Sequence, residues 1–478
     1  MNGSPSPTFR VAVVGGGLSG LSAAHRLIEQ SQESGQPLDL TLFEATSRTG
    51  GMIATKRIGD YLVELGADSF ITNKPAGVAL CRRLGMEAEL IPTIDRWRKS
   101  LVLKDGQPVE VPEGFMLLSP ARIWPILKSP LFTWSGKLRM GCERFLPAKK
   151  PTPNEDESLA SFVKRRFGKE LLDRLVQPLV GGIYTSDPEK LSLRATLPRF
   201  LDQEQQYGSL IKASRAQAKR QSVAENSGSG ARYGLFTTAR DGIQSILDRL
   251  RERIEASATI RSDCPIKAVQ QAEQCWSLTT VGGNTEQFDA VILALPTHRA
   301  AKILSEVSPD LSDELSAIEY ASSAIVVSGH TLDDIKHPLD AFGLVIPEIE
   351  KRDIIAVSFS SRKFPGRAPD GKVILRTFVG GAMHPEQMQL SDDEMKQTVR
   401  RELTSMLGLT GEPDFAEVVR YENSMPQYHV GHLDRVASIE SRVAALPGLE
   451  LAGNAYRGVG IPDSIASGES AAERILKR

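Results

Sequence analysis

Apolar positions along this chain fall into two rhythms, and their order sketches the fold. Val11 to Val14 is a short, continuous, β-branched run, the pattern of a buried strand. Leu18, Leu21, Leu27 and Ile28, with Ala23 and Ala24 between them, predict a helix over Leu18–Glu29. Leu38–Glu44 predicts a second strand, and Pro75–Leu84 a helix stopped by Gly85. Trp97–Glu113 reads as a hairpin turning at Lys104-Asp105-Gly106. Ser158 predicts the cap of a helix carrying Leu159, Phe162, Val163 and Phe167, followed by a second face of Leu171, Leu172, Leu175 and Val176. Asp187-Pro188-Glu189 reads as a fresh helix start, and Asp241-Gly242-Ile243-Gln244 as another. Short strands follow near Ile266, over Trp276–Val281 and over Asp289–Leu295. Tyr320–Gly380 is strand-rich and alternating, which predicts an antiparallel sheet. Ser391 to Glu394 predicts a capping box for a helix with Met395, Val399, Leu403 and Met406 on one face. The strand Leu449–Leu451 and a helix with small residues Ala466, Ser467, Ser470 and Ala471 close the chain.

Two stretches break these rhythms. Residues 114–146 mix Trp124, Trp134, Leu131 and Phe132 with Lys128, Lys137, Arg139 and Arg144. Short amphipathic pieces of this kind form a self-packed helical unit or dock on a membrane surface. Gln203–Gly230 is polar, with Lys212, Arg215, Lys219 and Arg220, and reads as a solvated helix and flexible loop. Met1–Thr8 reads as a loose tail without a signal-peptide pattern.

Composition narrows the function classes. The 478 residues suit two or three domains. Lys plus Arg number 58 and Asp plus Glu 59, a balance that gives no nucleic-acid footprint. Cys81, Cys142, Cys264 and Cys275 have no paired spacing, which argues against zinc and disulfides and fits a reducing compartment. No apolar run is long enough to predict a transmembrane helix. The seven histidines show no metal spacing, so no metal is expected.

The candidate chemistry begins at Arg10–Gly20, RVAVVGGGLSG. Gly15, Gly17 and Gly20 stand in the G-x-G-x-x-G register between the first strand and helix, and Glu44 follows 24 residues after Gly20, at the end of the second strand. Glycines there allow the turn and a close pyrophosphate; the helix N-terminus attracts phosphate, and the acid accepts ribose hydroxyls. Arg48-Thr49-Gly50-Gly51 can put a guanidinium and bare backbone beside the phosphates. The C-terminal Gly458-Val459-Gly460-Ile461-Pro462-Asp463 leads into a helix whose N-terminus can face negative charge.

The glycine loop, E-x-x-x-R-x-G-G and the L-G-A-D-S turn resemble the FAD-binding half of the amine-oxidase-like flavoproteins. The string QPLVGGIYTSDPEKLSLRATLPRF over 177–200 is similar to the protoporphyrinogen/coproporphyrinogen oxidase branch, as is the Met425-Pro426-Gln427-Tyr428 stretch. Where that branch more often carries tryptophan, this chain has Tyr421. The resemblance implies FAD as cofactor. It puts Gly15, Gly16, Gly17, Leu18, Ser19 and Gly20 on the pyrophosphate, and Glu44 and Ala45 at the adenosine ribose. Arg48 and Gly51 go near the phosphates, Ile266 at adenine, and Gly66, Ala67, Asp68 and Ser69 near the flavin. Tyr421, Gly453, Val459, Gly460 and Ile461 also face the cofactor.

The implied fold joins α/β and α+β parts: a Rossmann-like FAD domain built from 9–90, 231–300 and 415–478, an antiparallel-sheet substrate domain from 91–113 and 301–414, and a helical subdomain, 114–230, that can face a membrane. The implied reaction, in heme biosynthesis, is oxidation of coproporphyrinogen III or protoporphyrinogen IX to the porphyrin, with O2 as acceptor and hydrogen peroxide as product. Lys99, Arg98, Gly181 and Gly182 are the candidate substrate contacts, with no certain catalytic acid or base. The expected setting is cytoplasmic, with peripheral contact to the inner face of the cell membrane and handover to ferrochelatase as open possibilities. The competing readings are another flavin amine oxidase or desaturase, and a non-catalytic FAD-binding scaffold.

Overall fold

The first βαβ unit forms where the apolar pattern put it. The computed structural model describes residues 8–113, 115–116, 118–120, 123–150, 152, 155–216, 235–273 and 275–477. In it β1 (Phe9–Val14) leads into α1 (Leu18–Ser34) and β2 (Leu38–Phe43). The helix outlasts its last apolar residue and stops at Gly35, whose φ of 72° is left-handed. β1 is central in a parallel sheet ordered 259–261, 38–43, 9–14, 290–293, 449–451. Its strands are buried on both faces, which is why they read as unbroken apolar runs. One face packs on α1, the helix Gln244–Glu255 and the terminal helix Ile461–Leu476. The other packs on a small antiparallel sheet (266–272, 275–280, 285–288) and three further helices.

The second unit is a seven-stranded sheet ordered 415–426, 320–331, 372–380, 356–359, 343–345, 101–104, 107–110. It is antiparallel except where Gly343–Val345 runs parallel to Leu101–Lys104. The hairpin Leu101–Glu110 belongs here, turning at Asp105 and Gly106, both with positive φ. The division of the chain differs in places: Phe415–Pro426, grouped by sequence with the nucleotide half, pairs with Tyr320–Thr331 along this sheet, and the helix Pro309–Ser316, grouped with the substrate half, packs into the core of the nucleotide sheet. The motif at the C-terminal end of Phe415–Pro426 belongs to the cofactor pattern, while the strand's pairing follows its long neighbour.

The third unit is helical and has its own core, including Phe162, Phe167, Leu175 and Phe200. Its helices start at long-range or local caps that sequence spacing partly misassigns. Asp187-Pro188-Glu189 forms a turn, and the helix begins at Leu193 with the Ser192 hydroxyl accepting from the Ala195 amide at 2.9 Å. Likewise Asp241 is not the cap of Gln244–Glu255. The Ile243 amide donates to Glu64 at 2.9 Å and the Gln244 amide to the Thr55 hydroxyl at 3.1 Å, a cap supplied from a distant hairpin. Ser158 and Ser391 do cap their helices, the latter in the expected box with Glu394. Glu143, Arg166 and Glu204 form a buried ion cluster in this unit, joined by Arg165. The second half of the polar 203–230 stretch lies outside the described residues.

No helix among the described residues is long and apolar enough to cross a membrane. On the helical unit, Trp124, Trp134, Leu138 and Phe145 are 70–84% exposed.

Candidate functional site

A chain of close backbone approaches builds the site. Gly15 has φ of 107°, and a Cβ there would lie 2.4 Å from the Ala294 carbonyl oxygen, so the turn out of β1 needs glycine. A Cβ on Gly20 would lie 1.8 Å from the Gly15 oxygen, which holds α1 tight on β1. Gly17 differs: its missing Cβ faces open space, with the Gly51 Cα 4.0 Å away. The start of α1 carries no side-chain cap and no acidic residue in its first turn. This open face beside bare first-turn backbone fits a phosphate, where a Cβ would intrude.

Glu44 lies across the mouth of this loop. Its Oε2 accepts from the Gly16 amide at 2.8 Å and its Oε1 from the Thr46 amide at 2.9 Å, with Ala45 between. The Cys264 amide bonds the Glu44 carbonyl at 2.8 Å, which brings Ile266 to the same end of the site. Arg48 takes another role than a free phosphate contact. Its guanidinium donates to the carbonyls of Thr49, Gly51 and Ile53 and to Gln244, all within 3.2 Å, and so holds the Gly50–Gly51 turn. That turn bonds the glycine loop through the Gly50 amide and the Gly16 carbonyl at 2.7 Å.

The next turn along is Leu65–Ser69. A Cβ on Gly66 would lie 2.0 Å from the Met52 oxygen, so only glycine lets the two turns touch. The Tyr421 hydroxyl fastens them, donating to the Leu65 carbonyl at 2.8 Å with the Met52 carbonyl 3.3 Å away. Ala67 is exposed. Asp68 accepts from Lys363 at 3.0 Å and faces Arg376 at 3.2 Å. Burial alone would raise its carboxyl, but the Lys363 and Arg376 charges outweigh that and hold it well below the usual carboxylate range.

The terminal helix closes the ring of elements. Its start is set by Gly460, whose amide donates to Asp463 at 3.2 Å, with Val459 before it and Ile461 as first helical residue. Lys74 donates to Asp463 at 2.6 Å, tying this start to the segment after the Ser69 turn. Leu18, Phe70 and Ile461 line one small cavity between the three elements. The Tyr428 hydroxyl receives the Gly458 amide at 2.8 Å and donates to the Asn454 carbonyl at 2.5 Å, which pins the loop before the helix. Gly453 is held by the Ser467 hydroxyl at 3.0 Å.

Taken together, a glycine loop at an uncapped helix start, a carboxylate at its mouth and two converging glycine turns make a dinucleotide cradle. Residues 18–476 match the family described as flavin containing amine oxidoreductase.

The chain belongs to that family.

Among curated relatives of this flavin-containing chain, the coproporphyrinogen III oxidase of Bacillus subtilis (strain 168) is 34% identical over 98% of this chain and 97% of its own. That of Staphylococcus aureus is 31% identical over 98% and 99%. Protoporphyrinogen oxidase 2 of Arabidopsis thaliana is 28% identical over 98% and 94%. A crystal structure from Exiguobacterium sp. 255-15, of a provisionally named protoporphyrinogen oxidase, superposes with TM-score 0.85 at 29% identity, covering 99% of this chain and 100% of that one. Putrescine oxidase structures, at 17% identity and TM-scores near 0.67, share the fold.

The substrate candidates are less gathered. Gly181 lies on the helix Gln177–Tyr184 and lines a narrow cleft against the seven-stranded sheet with Gln177, Thr185, Glu348 and Gly381. Thr185 there has φ of 47°, a strained conformation for a β-branched residue. Gly182 is on the exposed side, and a Cβ there would meet nothing. Lys99 pairs with Glu110 at 3.4 Å and Asp340 at 3.9 Å, and Arg98 is exposed beside it; neither lines the Gly181 cleft. Sequence spacing missed Lys363 and Arg376 as members of the site, and gave Tyr428 and Asp463, though both stand in its motifs, no role there. The first two lie some 300 residues from Asp68, and no local pattern announces them.

Proposed function

We propose that this protein is an oxygen-dependent porphyrinogen oxidase of heme biosynthesis, with FAD in the cradle and coproporphyrinogen III as the preferred substrate. The observation that carries this reading is the near full-length similarity to coproporphyrinogen III oxidases together with the cradle just described. When bound, FAD accepts hydride from a reduced tetrapyrrole and passes the electrons to O2.

The residues of this chain bind and orient. The first turn of α1 and the Gly50–Gly51 turn hold the pyrophosphate, and Glu44 holds the ribose. The Ile266 segment holds adenine. The Gly66–Ser69 turn, Tyr421 and Val459–Ile461 hold the ring end. The porphyrinogen lies between that ring end and the seven-stranded sheet, with Gly181 at the edge of its space. Lys99 and Arg98 serve its propionates. The balance is one porphyrinogen plus three O2 to one porphyrin plus three H2O2. Holding a flat macrocycle at the ring end matters more here than a strong base, since three of the four bridging carbons would give up hydride while three protons, two from pyrrole N–H and one from the fourth bridge, leave by tautomerisation.

The helical unit offers a membrane contact. Trp134 and Leu138 stand one turn apart on one helix, with Lys137 over the Trp134 ring at 4.7 Å. Aromatic and aliphatic side chains rimmed by lysine suit an anionic lipid surface, where product handover to ferrochelatase would be short. Sedimentation with anionic vesicles should carry the protein down, and Trp134→Ser with Leu138→Ser should release it.

Purified protein tests the main reading. Flavin absorbance should accompany the folded chain. Each porphyrinogen, supplied in air, should give fluorescent porphyrin and peroxide, faster from coproporphyrinogen III than from protoporphyrinogen IX. A flavin-loaded protein that makes neither porphyrin would overturn the reading and leave an amine-type oxidase or a scaffold.

A further inference from the structure

Among the charged contacts where the two units of the fold meet is a cluster at the Gly66–Ser69 turn. Asp68 comes from the turn after Gly66, while Lys363 and Arg376 come from the seven-stranded unit. Lys363 Nζ donates to Asp68 Oδ1 at 3.0 Å and to the Ser69 hydroxyl at 2.8 Å. Arg376 Nη1 faces Asp68 Oδ2 at 3.2 Å, and its Nη2 donates to the Gly66 carbonyl. Arg376 is buried, and its Nε has no hydrogen-bond partner among the described residues.

The charges do not balance. Glu64 and Arg367 are also buried near this turn; Arg367 acts on Asp68 as well as Glu64, and Arg376 acts on Glu64 as well as Asp68. Lys363, Arg376 and Arg367 then face Asp68 and Glu64, three cations against two carboxylates. A buried, uncompensated positive charge is costly, so such an excess marks a place where negative charge arrives. The turn is the next element past the glycine loop: Gly17 meets Gly51, and Met52 meets Gly66. On its other flank Phe70 packs under Gly77 and Pro462, at the start of the terminal helix. With the ribose acid at Glu44, the ring end of a bound dinucleotide falls between these two flanks.

We propose that Lys363 and Arg376 are positioning residues: they fix the Gly66–Ser69 turn against the isoalloxazine of FAD and keep an excess positive charge there that stabilises negative charge on the ring. This rests on the FAD reading of the cradle. Hydride transfer brings an electron pair onto the ring, and a fixed cation in a water-poor interface favours it without reorganising. Asp68 sets the size of the excess and keeps both cations aimed at the turn. Nothing in the arrangement removes a proton from the substrate.

Sulfite reads this charge without turnover. Its sulfur lone pair adds to flavin N5, no group leaves, and the pair displaced from the C=N bond rests on the ring as negative charge. In FAD-loaded protein, Arg376→Gln should weaken sulfite binding about tenfold, and Lys363→Met should act in the same direction. Asp68→Asn should tighten it by about the same factor, because it removes the anion that faces both cations. Arg376→Lys should restore the charge effect while leaving FAD retention below wild type, since lysine lacks the fork that reaches both Asp68 and Gly66. Where sulfite binds too weakly to titrate, the midpoint potential against a redox dye should move with the same signs: down for Arg376→Gln and Lys363→Met, up for Asp68→Asn. A purely structural cluster predicts equal losses of FAD in all of these and no opposite-signed shift; that result would overturn the proposal. Lys363 is less buried than Arg376, so its variant keeps the test open if Arg376→Gln does not fold. A wild-type protein that takes up no FAD would sink the functional reading itself, whereas a yellow protein with charge-indifferent sulfite binding sinks only this inference.

Discussion

Two ion clusters in this molecule, one buried and one half-buried, look alike and do different work. In the helical unit, Arg165 and Arg166 face Glu143, Glu157 and Glu204, and protein donors meet the extra carboxylate: Glu143 also receives the Ser209 hydroxyl and the Leu210 amide, and Glu204 the Lys149 amide. At the junction of the other two units, Lys363 and Arg376 face Asp68. A cluster whose excess carboxylate is met by protein donors holds protein to protein. One with a cation in excess and the Arg376 Nε unpartnered among the described residues leaves charge over for something the chain itself does not supply. The lesson is to count the sign of a buried network before assigning it to stability.

The harshest way to test this contrast is to remove a cation from the helical cluster. Arg166→Ala leaves Glu143, fully buried, without its cation and should cost about 3–5 kcal/mol of stability. Urea unfolding should show it, while flavin content per folded molecule stays at the wild-type value.

Acid gives a second separation. Asp68 and Glu204 are both shifted down: burial opposes the shift, and the facing cations overcome it. Their contributions are therefore complete above the ordinary carboxylate range and are lost only as pH falls below it. Buried histidines behave otherwise. Burial pushes His330 and His432 from 6.5 down to about 4, so the unfolded chain takes up their protons first. Stability should begin to fall as pH drops through 6.5 and level off near 4, with both clusters intact. Unfolding free energies of His330→Gln and His432→Gln should be flatter over that window. An unchanged slope in both variants would put the loss on the clusters instead.

A milder cut sharpens the junction. Tyr421→Phe removes the hydroxyl that ties Leu65 to Met52 and should cost about 1 kcal/mol, read as roughly a fivefold loss of FAD affinity. The smallest effect is expected at Lys99, already paired at the surface with Glu110 and Asp340. Lys99→Ala should raise the KM for porphyrinogen about two- to fivefold with FAD retained. Unchanged kinetics would remove Lys99 from the substrate site.

Sequence patterning reached furthest where a function demands a local backbone shape. The glycine loop, the Gly50–Gly51 pair and the Gly66 turn were legible because close approach admits no side chain, and that constraint is written into single positions. It reached less far where partners come from elsewhere. The cap of Gln244–Glu255 comes from Glu64 and Thr55, and a helix-start pattern searched locally settles on Asp241 instead. Arg48 carries the motif of a phosphate contact, yet its donors go to the turn it belongs to. The strand Phe415–Pro426 joins a different sheet from the segment that follows it, because strand pairing depends on a neighbour nearly a hundred residues away.

The sequence alone therefore determined the βαβ start, the glycine turns and Glu44 of the candidate cradle, and the flavin family, each of which follows from short motifs read locally along the chain. Only the tertiary structure decided which charges meet. Asp68, Lys363 and Arg376 come together through the packing of one turn on one sheet. A Coulomb interaction depends on distance in space, and nothing in chain spacing encodes it.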